Sequence, residues 1–183
     1  MYNRASRATQ VLLEIWNADA ATPARSLGSV LEEDDSAAEE LNRRIADGNT
    51  SGFPADALRT RLMHFARENA RIPVAARAVA DGDSRVLGEL AAESHRDADQ
   101  LLGNQVPETR ALVQHALAGG AFAASAFGAG FGGSVWALVA RQSAERFAER
   151  WLNEYRQAFP HIATAEAFVS HPGPALTQVP VPK

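Results

Sequence analysis

The chain has 183 residues, of which 46% are apolar and 22% are charged, and its formal net charge is -4. A chain of this length can bury one core without covalent staples. The absence of cysteine excludes disulfide scaffolds, thiolate zinc sites and cysteine nucleophiles. The acidic balance argues against nucleic acid as the main partner. Because the sequence has neither a membrane-length apolar run nor a secretory signal, we predict a cytoplasmic protein that does not bind a membrane.

The first 120 residues are predicted to be helical. Apolar residues recur at helical spacing from Ala8 to Trp16, which indicates a first helix. A second helix is expected to begin at Ser29, because Ser29 and Glu32 have the spacing of a capping box, and to end near Asp47.

Three more helices are predicted before the character of the sequence changes. A long helix is expected from Phe53 to Asp81. Pro73 falls inside it and should kink it or split it in two, because proline removes a backbone donor. Shorter helices are expected over residues 84–103 and 106–117.

Residues 121–127 and 135–140 are apolar runs that are predicted to pair as antiparallel strands. The connection between them is rich in glycine and consists of Gly128, Ala129, Gly130, Phe131, Gly132 and Gly133. A helix with an apolar stripe from Phe147 to Phe159 follows, and residues 164–170 are a candidate last strand. Helices followed by a strand–strand–helix–strand unit predict the α+β class.

The residues that most often carry chemistry form no recognisable site. The five histidines have no metal-ligand spacing, and they are His64, His95, His115, His161 and His171. No serine lies in a Gly-x-Ser-x-Gly elbow, and no pair of carboxylates stands out as an acid and a base. We therefore assign no catalytic residue and no metal ligand from the sequence.

The glycine-rich connection is the one dense feature. Gly128, Gly130 and Gly133 match the dinucleotide-binding pattern G-x-G-x-x-G, but that pattern needs a helix opening within the glycines, and an apolar run follows instead. No Gly-Lys-Ser/Thr is present, which excludes a P-loop of that type. Two interpretations stay open: a tight connection in which glycine supplies positive φ, or a bare wall against which a ligand or another domain packs.

The segment from Gly120 to Val139 resembles the third, C-terminal motif of the GHMP kinases, and it is most similar to that of the galactokinases. Other segments resemble the same family in the same order, and they are residues 1–4, 66–71, 80–83, 93–95, 106–108 and 167–173. The resemblance implies a GHMP C-terminal domain over residues 1–176, a ferredoxin-like antiparallel sheet with several extra helices. It leaves residues 177–183 as a tail that we expect to be mobile.

The resemblance also implies which residues bind the substrate. In galactokinases the tyrosine that matches Tyr2 contacts the sugar, and the glycine motif lies at the substrate. The implied substrate-binding residues are Tyr2, Gly128, Ala129, Gly130, Phe131, Gly132 and Gly133. ATP and Mg are expected only if an N-terminal lobe completes the protein, because the phosphate loop, the sugar-binding motif and the aspartate base of these kinases do not occur in this sequence.

Two functions are compatible with these features. The first is the substrate-side domain of a galactokinase-like sugar kinase, inactive alone, with a separate N-terminal lobe and a sugar as its partners. The second is a stand-alone, non-catalytic binding or oligomerisation module that keeps the GHMP fold. Ser125, Ala126 and Phe127 favour the second function, because the family usually has a basic residue, a Met or Leu, and a Thr or Ser at these positions.

Overall fold

A computed structural model describes residues 2–18, 20–34, 36–47, 50–128, 130–162, 164–171 and 173. In these residues, seven α-helices accompany one two-stranded antiparallel sheet. The helices are α1 (Tyr2–Asn17), α2 (Leu27–Glu33), α3 (Ala37–Asp47), α4 (Ala55–Asp81), α5 (Ser84–Asp97), α6 (Pro107–Ala118) and α7 (Ala144–Ala158). The strands are β1 (Ala123–Phe127) and β2 (Ser134–Leu138). The tail predicted at residues 177–183 lies outside the described residues.

The α+β class is confirmed, although the structure is mostly helical. The predicted strand pair is present, with Ala123 opposite Leu138 and Phe127 opposite Ser134. The candidate strand at residues 164–170 is not formed among the described residues. This segment alternates between half-buried and exposed residues, but the carbonyl oxygen of Ala165 accepts a hydrogen bond from the side chain of Arg156 at 2.7 Å. A strand requires a ladder partner as well as an alternating pattern, and the local sequence does not supply one.

The second predicted helix is two helices in the structure. Ser26, not Ser29, is the N-cap of α2, and its side-chain oxygen accepts a hydrogen bond from the backbone N–H of Ser29 at 3.1 Å. Asp34 then separates α2 from α3, and its carboxylate accepts from the N–H of Ser36 at 2.8 Å. Both serines have the side chain that an N-cap needs, so the packing of Leu27 selects between them.

Pro73 does not split the long helix, since α4 runs without a break from Ala55 to Asp81. The helix is buried on both sides of the proline, through Leu58 and Leu62 before it and Ala78 after it. A single missing backbone hydrogen bond is therefore outweighed by tertiary packing.

Among the described residues, two apolar clusters form the core. The first joins α1, α2, α3 and α4, and its buried residues are Ala8, Val11, Leu12, Ile15, Leu27, Leu41, Ile45, Leu58 and Leu62. The second joins α6 and α7 to one face of the sheet, and its buried residues are Val113, Ala116, Ala121, Ala124 and Phe147. The indole N–H of Trp151 also donates to the carbonyl oxygen of Leu112 at 2.9 Å, which fixes α7 on α6.

Helices α4 and α5 connect the two clusters. A π-helical turn (Ala98–Leu102) extends α5 and carries the chain towards α6. Within the part of the chain that the structure describes, no helix has both the length and the apolarity needed to cross a membrane.

Candidate functional site

The glycine loop, residues 128–133, connects β1 to β2 and has an unusual backbone. Gly128, Gly130, Gly132 and Gly133 all have positive φ, between 77° and 106°, and Phe131 has φ 60°. Ala129 lies outside the described residues. A strand, not a helix, follows the last glycine, which confirms that the match to the dinucleotide-binding pattern is accidental.

One glycine of this loop is required by contact as well as by conformation. The loop rests on Asn104, whose carbonyl oxygen accepts a hydrogen bond from the N–H of Phe131 at 2.5 Å. A Cβ atom on Gly130 would lie 2.5 Å from both the carbonyl oxygen and Nδ2 of Asn104. The first interpretation of the loop, a connection that needs positive φ and close backbone approach, therefore holds at Gly130.

A chain of buried polar side chains supports this contact. Gln105 donates from Nε2 to Oδ1 of Asn104 at 2.8 Å, and the hydroxyl of Thr109 donates to Oε1 of Gln105 at 2.9 Å. All three residues are less than 9% exposed. Because satisfied polar networks are rigid, Asn104 is a fixed base for the loop. No motif in the sequence marked Asn104, which resembles an ordinary helix stop after Gly103.

The other side of the loop borders a cavity of about 860 Å³. Helices α1 and α4, the π-helical turn and the loop form its wall. The lining residues are Ser6, Ala8, Thr9, Gln10, Leu13, Ser26, Leu27, Phe53, Ala57, Arg61, His64, Phe65, Leu101, Leu102, Asn104, Gly128 and Phe131. Its volume lies in the range of small-molecule sites, and its wall is mainly apolar with a few polar groups.

Of the substrate-binding residues expected from the sequence, Gly128 and Phe131 line this cavity. Gly132 and Gly133 belong to the same loop but not to the lining. Tyr2 opens α1, the helix whose Ser6 and Thr9 line the cavity. The roles of these residues in binding stay predictions.

Among the described residues that line the cavity, Arg61 carries the one positive charge. The guanidinium of Arg61 donates from Nε to the hydroxyl oxygen of Thr9 at 2.9 Å, and its Nη1 lies 3.1 Å from Nδ1 of His64. Burial and the neighbouring charge of Arg61 lower the pKa of His64, against the opposing effect of Glu68 and Asp97. The imidazole is therefore neutral at pH 7 and accepts the Arg61 hydrogen bond through Nδ1. No sequence pattern singles out Arg61, because an arginine on a helix normally lies on a solvated face.

Two segments that resemble the kinase family meet in an ionic cluster between α4 and α5. Asp97 is 5% exposed and accepts hydrogen bonds from Arg67, at 2.8 Å, and from Arg71. Arg71 also pairs with Glu68 and, at 3.5 Å, with Glu93. These contacts join residues 66–71 to residues 93–97.

The same part of α5 reaches the strand that leads into the loop. His95, two residues before Asp97, accepts a hydrogen bond through Nδ1 from the backbone N–H of Ala126 at 3.4 Å. Burial lowers the pKa of His95, so a neutral imidazole is available for this role. Residues 93–95, one of the segments that resemble the kinase family, therefore have a structural function beside the glycine loop.

One face of the sheet packs on the α6–α7 core. The opposite face is buried at Ala123 and Ser125 of β1 but exposed at Phe127 and along β2. The pairing places Phe127, Trp136 and Leu138 on the face opposite the α6–α7 core, and these three side chains are called the hairpin face below. Phe127 is 66% exposed, while Trp136 and Leu138 are 37% and 40% exposed. An apolar face beside the glycine loop is the feature expected of a surface that meets another domain.

Residues 75–157 match the family model described as GHMP kinases C terminal. This segment is thus a GHMP kinase C-terminal domain, as the glycine motif and the ordered segments predicted. It includes Asp97 of the ionic cluster, Asn104, the glycine loop and the hairpin face, whereas the α4 residues of the cluster lie before it.

Within that class, the relatives are galactokinases. The chain is 36% identical to the galactokinase of Thermococcus kodakarensis over 111 residues, which are 61% of this chain and 31% of the relative. It is 36% identical to the galactokinase of Chloroflexus aurantiacus over 113 residues, 58% of this chain and 29% of the relative. It superposes on Lactococcus lactis galactokinase complexed with galactose with a TM-score of 0.63 and 25% identity, covering 87% of this chain and 38% of that one. These matches cover about three-tenths of the length of the curated relatives.

Proposed function

We propose that this chain is the substrate-side domain of a galactokinase-like sugar kinase and works with an N-terminal lobe that supplies the phosphate loop and the base. The reaction is the transfer of a phosphoryl group from ATP to a sugar hydroxyl. Such transfer depends on positioning and on neutralising charge around the transferred group. The domain similarity, the glycine loop and the cavity behind it support this assignment.

The hairpin face is the observation that carries the proposal. Three apolar side chains are exposed on one side of the hairpin, with Phe127 directly before the glycine loop and Trp136 and Leu138 farther along the strand that follows it. Docking of a lobe on them would bury this surface and bring the lobe to the loop. The loop, held on Asn104, would then form a rigid wall of the joint site that excludes water from the sugar.

The expectation that ATP and Mg bind only when an N-terminal lobe completes the protein stays a prediction. The described residues contain no group of three or more His, Asp or Glu side chains that could bind a metal ion. In the proposal, the lobe holds ATP and Mg, and this domain orients the sugar.

Complementation tests this function. The chain is mixed with the N-terminal part of the Thermococcus kodakarensis galactokinase, ending before the segment that the chain matches, and ADP release is followed with galactose and ATP. We expect turnover from the mixture and none from either part alone. A mixture that forms a stable complex but releases no ADP with galactose or other hexoses would contradict the kinase assignment.

A matched pair of variants tests the docking face. Phe127 and Ile72 are both 66% exposed, but only Phe127 lies beside the glycine loop. We expect Phe127→Ser to weaken binding of the lobe about tenfold, while Ile72→Ser on α4 leaves it unchanged. Equal binding by the two variants would exclude the hairpin face as the docking surface.

The same face supports the second candidate function, a non-catalytic module that associates with its own copy. Monomeric proteins rarely expose large contiguous apolar patches, and a second copy would cover this one. Light scattering at increasing protein concentration should then show a dimer that Phe127→Ser dissociates and Ile72→Ser does not. A monomer at all concentrations would exclude this candidate.

A further inference from the structure

We propose that the cavity beside the glycine loop binds a small organic phosphate monoester, with Arg61 pairing with the phosphate and the aromatic wall holding the organic part. This assignment concerns a binding site of this chain alone. It concerns the same cavity that supports the proposed function, but it requires no phosphoryl transfer and no second lobe, so it is tested separately from the kinase function.

The first argument is the missing counter-ion of Arg61. Among the described arginines that are at least partly buried, Arg44, Arg59 and Arg71 each have a carboxylate within ion-pair distance. Arg61 has none among the described residues, and its described hydrogen-bond partners, Thr9 and His64, are neutral. Burial of a cation without an anion is unfavourable, so the site is built to receive a negative charge.

The second argument is the geometry of the remaining donors. Nε and Nη1 of Arg61 are occupied by Thr9 and His64, which hold the plane of the guanidinium, whereas Nη2 donates to no described acceptor. The guanidinium also lies 6.0 Å from the centre of the Phe65 ring. A guanidinium held in this way is pre-organised, so little side-chain entropy is lost when an anion binds.

The third argument is the rest of the wall. Ser6 and Gln10 line the same cavity and carry a hydroxyl and an amide donor. A phosphate has three terminal oxygens and can use several neutral donors beside one arginine. A carboxylate, with two oxygens, would leave more of these donors without partners.

The fourth argument concerns the organic part of the ligand. Phe53, Phe65 and Phe131 contribute aromatic surface to the wall, and the volume of about 860 Å³ is far larger than a phosphate ion needs. Aromatic faces pack against both sugar rings and nucleobases. The ligand is therefore a phosphate ester that carries a ring.

Calorimetric titration of the 183-residue chain tests the proposal. The probes are glucose 6-phosphate and AMP, with inorganic phosphate, glucose and glucuronate as controls. We expect at least one ester to bind at least tenfold more tightly than all three controls, and the preferred ester shows whether a sugar or a base fills the aromatic part. If inorganic phosphate binds as tightly as the esters, the aromatic wall has no role in binding. If glucuronate binds as tightly, the site does not select phosphate. If neither ester binds, the whole assignment is overturned.

Variants separate Arg61 from general charge effects. Arg61→Gln should weaken binding of the ester at least tenfold, whereas Arg96→Gln, which removes an exposed arginine on α5, should leave binding unchanged. The midpoint temperature of unfolding supplies a second measurement: the ester should raise it for the wild-type chain and for Arg96→Gln, but not for Arg61→Gln. Equal ester binding by the two variants would overturn the proposal.

Discussion

Gly130 lies so close to Asn104 that a Cβ atom on the glycine would be 2.5 Å from the carbonyl oxygen of Asn104. The backbone oxygen cannot move away easily, because the same oxygen accepts the hydrogen bond from Phe131. This contact fixes the glycine loop on the turn before α6.

Gly130→Ala should therefore destabilise the protein more than the equivalent change at Gly128. Both glycines have positive φ, 77° and 88°, but no atom lies within 4 Å of a Cβ at Gly128. Backbone strain alone costs about 1 kcal/mol, and the contact with Asn104 should raise the loss at Gly130 to about 3 kcal/mol. Urea denaturation measures both losses of stability. Equal losses would show that the contact with Asn104 adds nothing to the backbone strain.

Among the described residues of the loop, Phe131 is the non-glycine residue with positive φ, which leads to a second prediction. Phe131→Gly should be about 1 kcal/mol more stable than Phe131→Ala, because only glycine adopts φ 60° without strain. Phe127, which lies in β1, provides the control. There, the glycine variant should be less stable than the alanine variant, since glycine weakens a strand. The same order of stability at both positions in thermal unfolding would contradict the prediction.

Asp97 should make stability depend on pH in the acid range. Burial by itself raises the pKa of Asp97, but hydrogen bonds from Arg71 and Arg67 outweigh it and bring the pKa below its ordinary value of 3.8. A carboxyl whose pKa is lower in the folded state stabilises the fold above about pH 4, and this contribution is lost as the pH falls through the folded-state pKa. Asp97→Asn should reduce the free energy of unfolding at pH 7 by about 2 kcal/mol and flatten its fall below pH 4.

Asp56 is the matched control for this prediction. Its side chain is 96% exposed and pairs with Arg59 at 3.2 Å. Asp56→Asn should change the free energy of unfolding by less than about 0.5 kcal/mol, because exposed ion pairs contribute little. Similar losses for the two variants would show that the buried ionic cluster between α4 and α5 contributes no more to stability than an exposed ion pair.

Protonation of His64 should lower the free energy of unfolding as the pH falls from 7 to 5. Its pKa is lowered by burial and by Arg61 and Arg71, while Glu68 and Asp97 act in the opposite direction. A base with a lowered pKa binds its proton more readily in the unfolded state, so its contribution is complete above about pH 6.5 and decreases below it. His64→Asn keeps an acceptor for Arg61 and should flatten this decrease. His161→Asn, at an exposed position, should not, and identical pH profiles for the two variants would contradict the prediction.

Local patterns were sufficient to predict most secondary structure. The apolar stripe of α1, the helical stretch before Gly103 and the two apolar runs around the glycine loop were all interpreted correctly. The errors fell where two local signals compete or where a distant partner is needed. Ser26 and Ser29 are both good caps, and residues 164–170 alternate like a strand but lack a ladder.

Only part of the candidate site could be predicted from local sequence patterns. The glycine motif pointed to Gly128 and Phe131, which do line the cavity. Arg61, His64 and Asn104 could not be selected, because each is unremarkable among its neighbours in the chain. Their importance comes from burial and from partners on other segments, such as Thr9 beside Arg61.

The sequence by itself determined the class of the domain, because four glycines at the end of an apolar run and the ordered segments around them are local features. It also determined the α+β pattern through the spacing of apolar residues. Only the tertiary structure decided that Gly130 must be bare where it meets Asn104, and that Arg61 enters a cavity without a described carboxylate. The physical reason is that steric contact and desolvation depend on which surfaces pack together, and helix periodicity does not specify that.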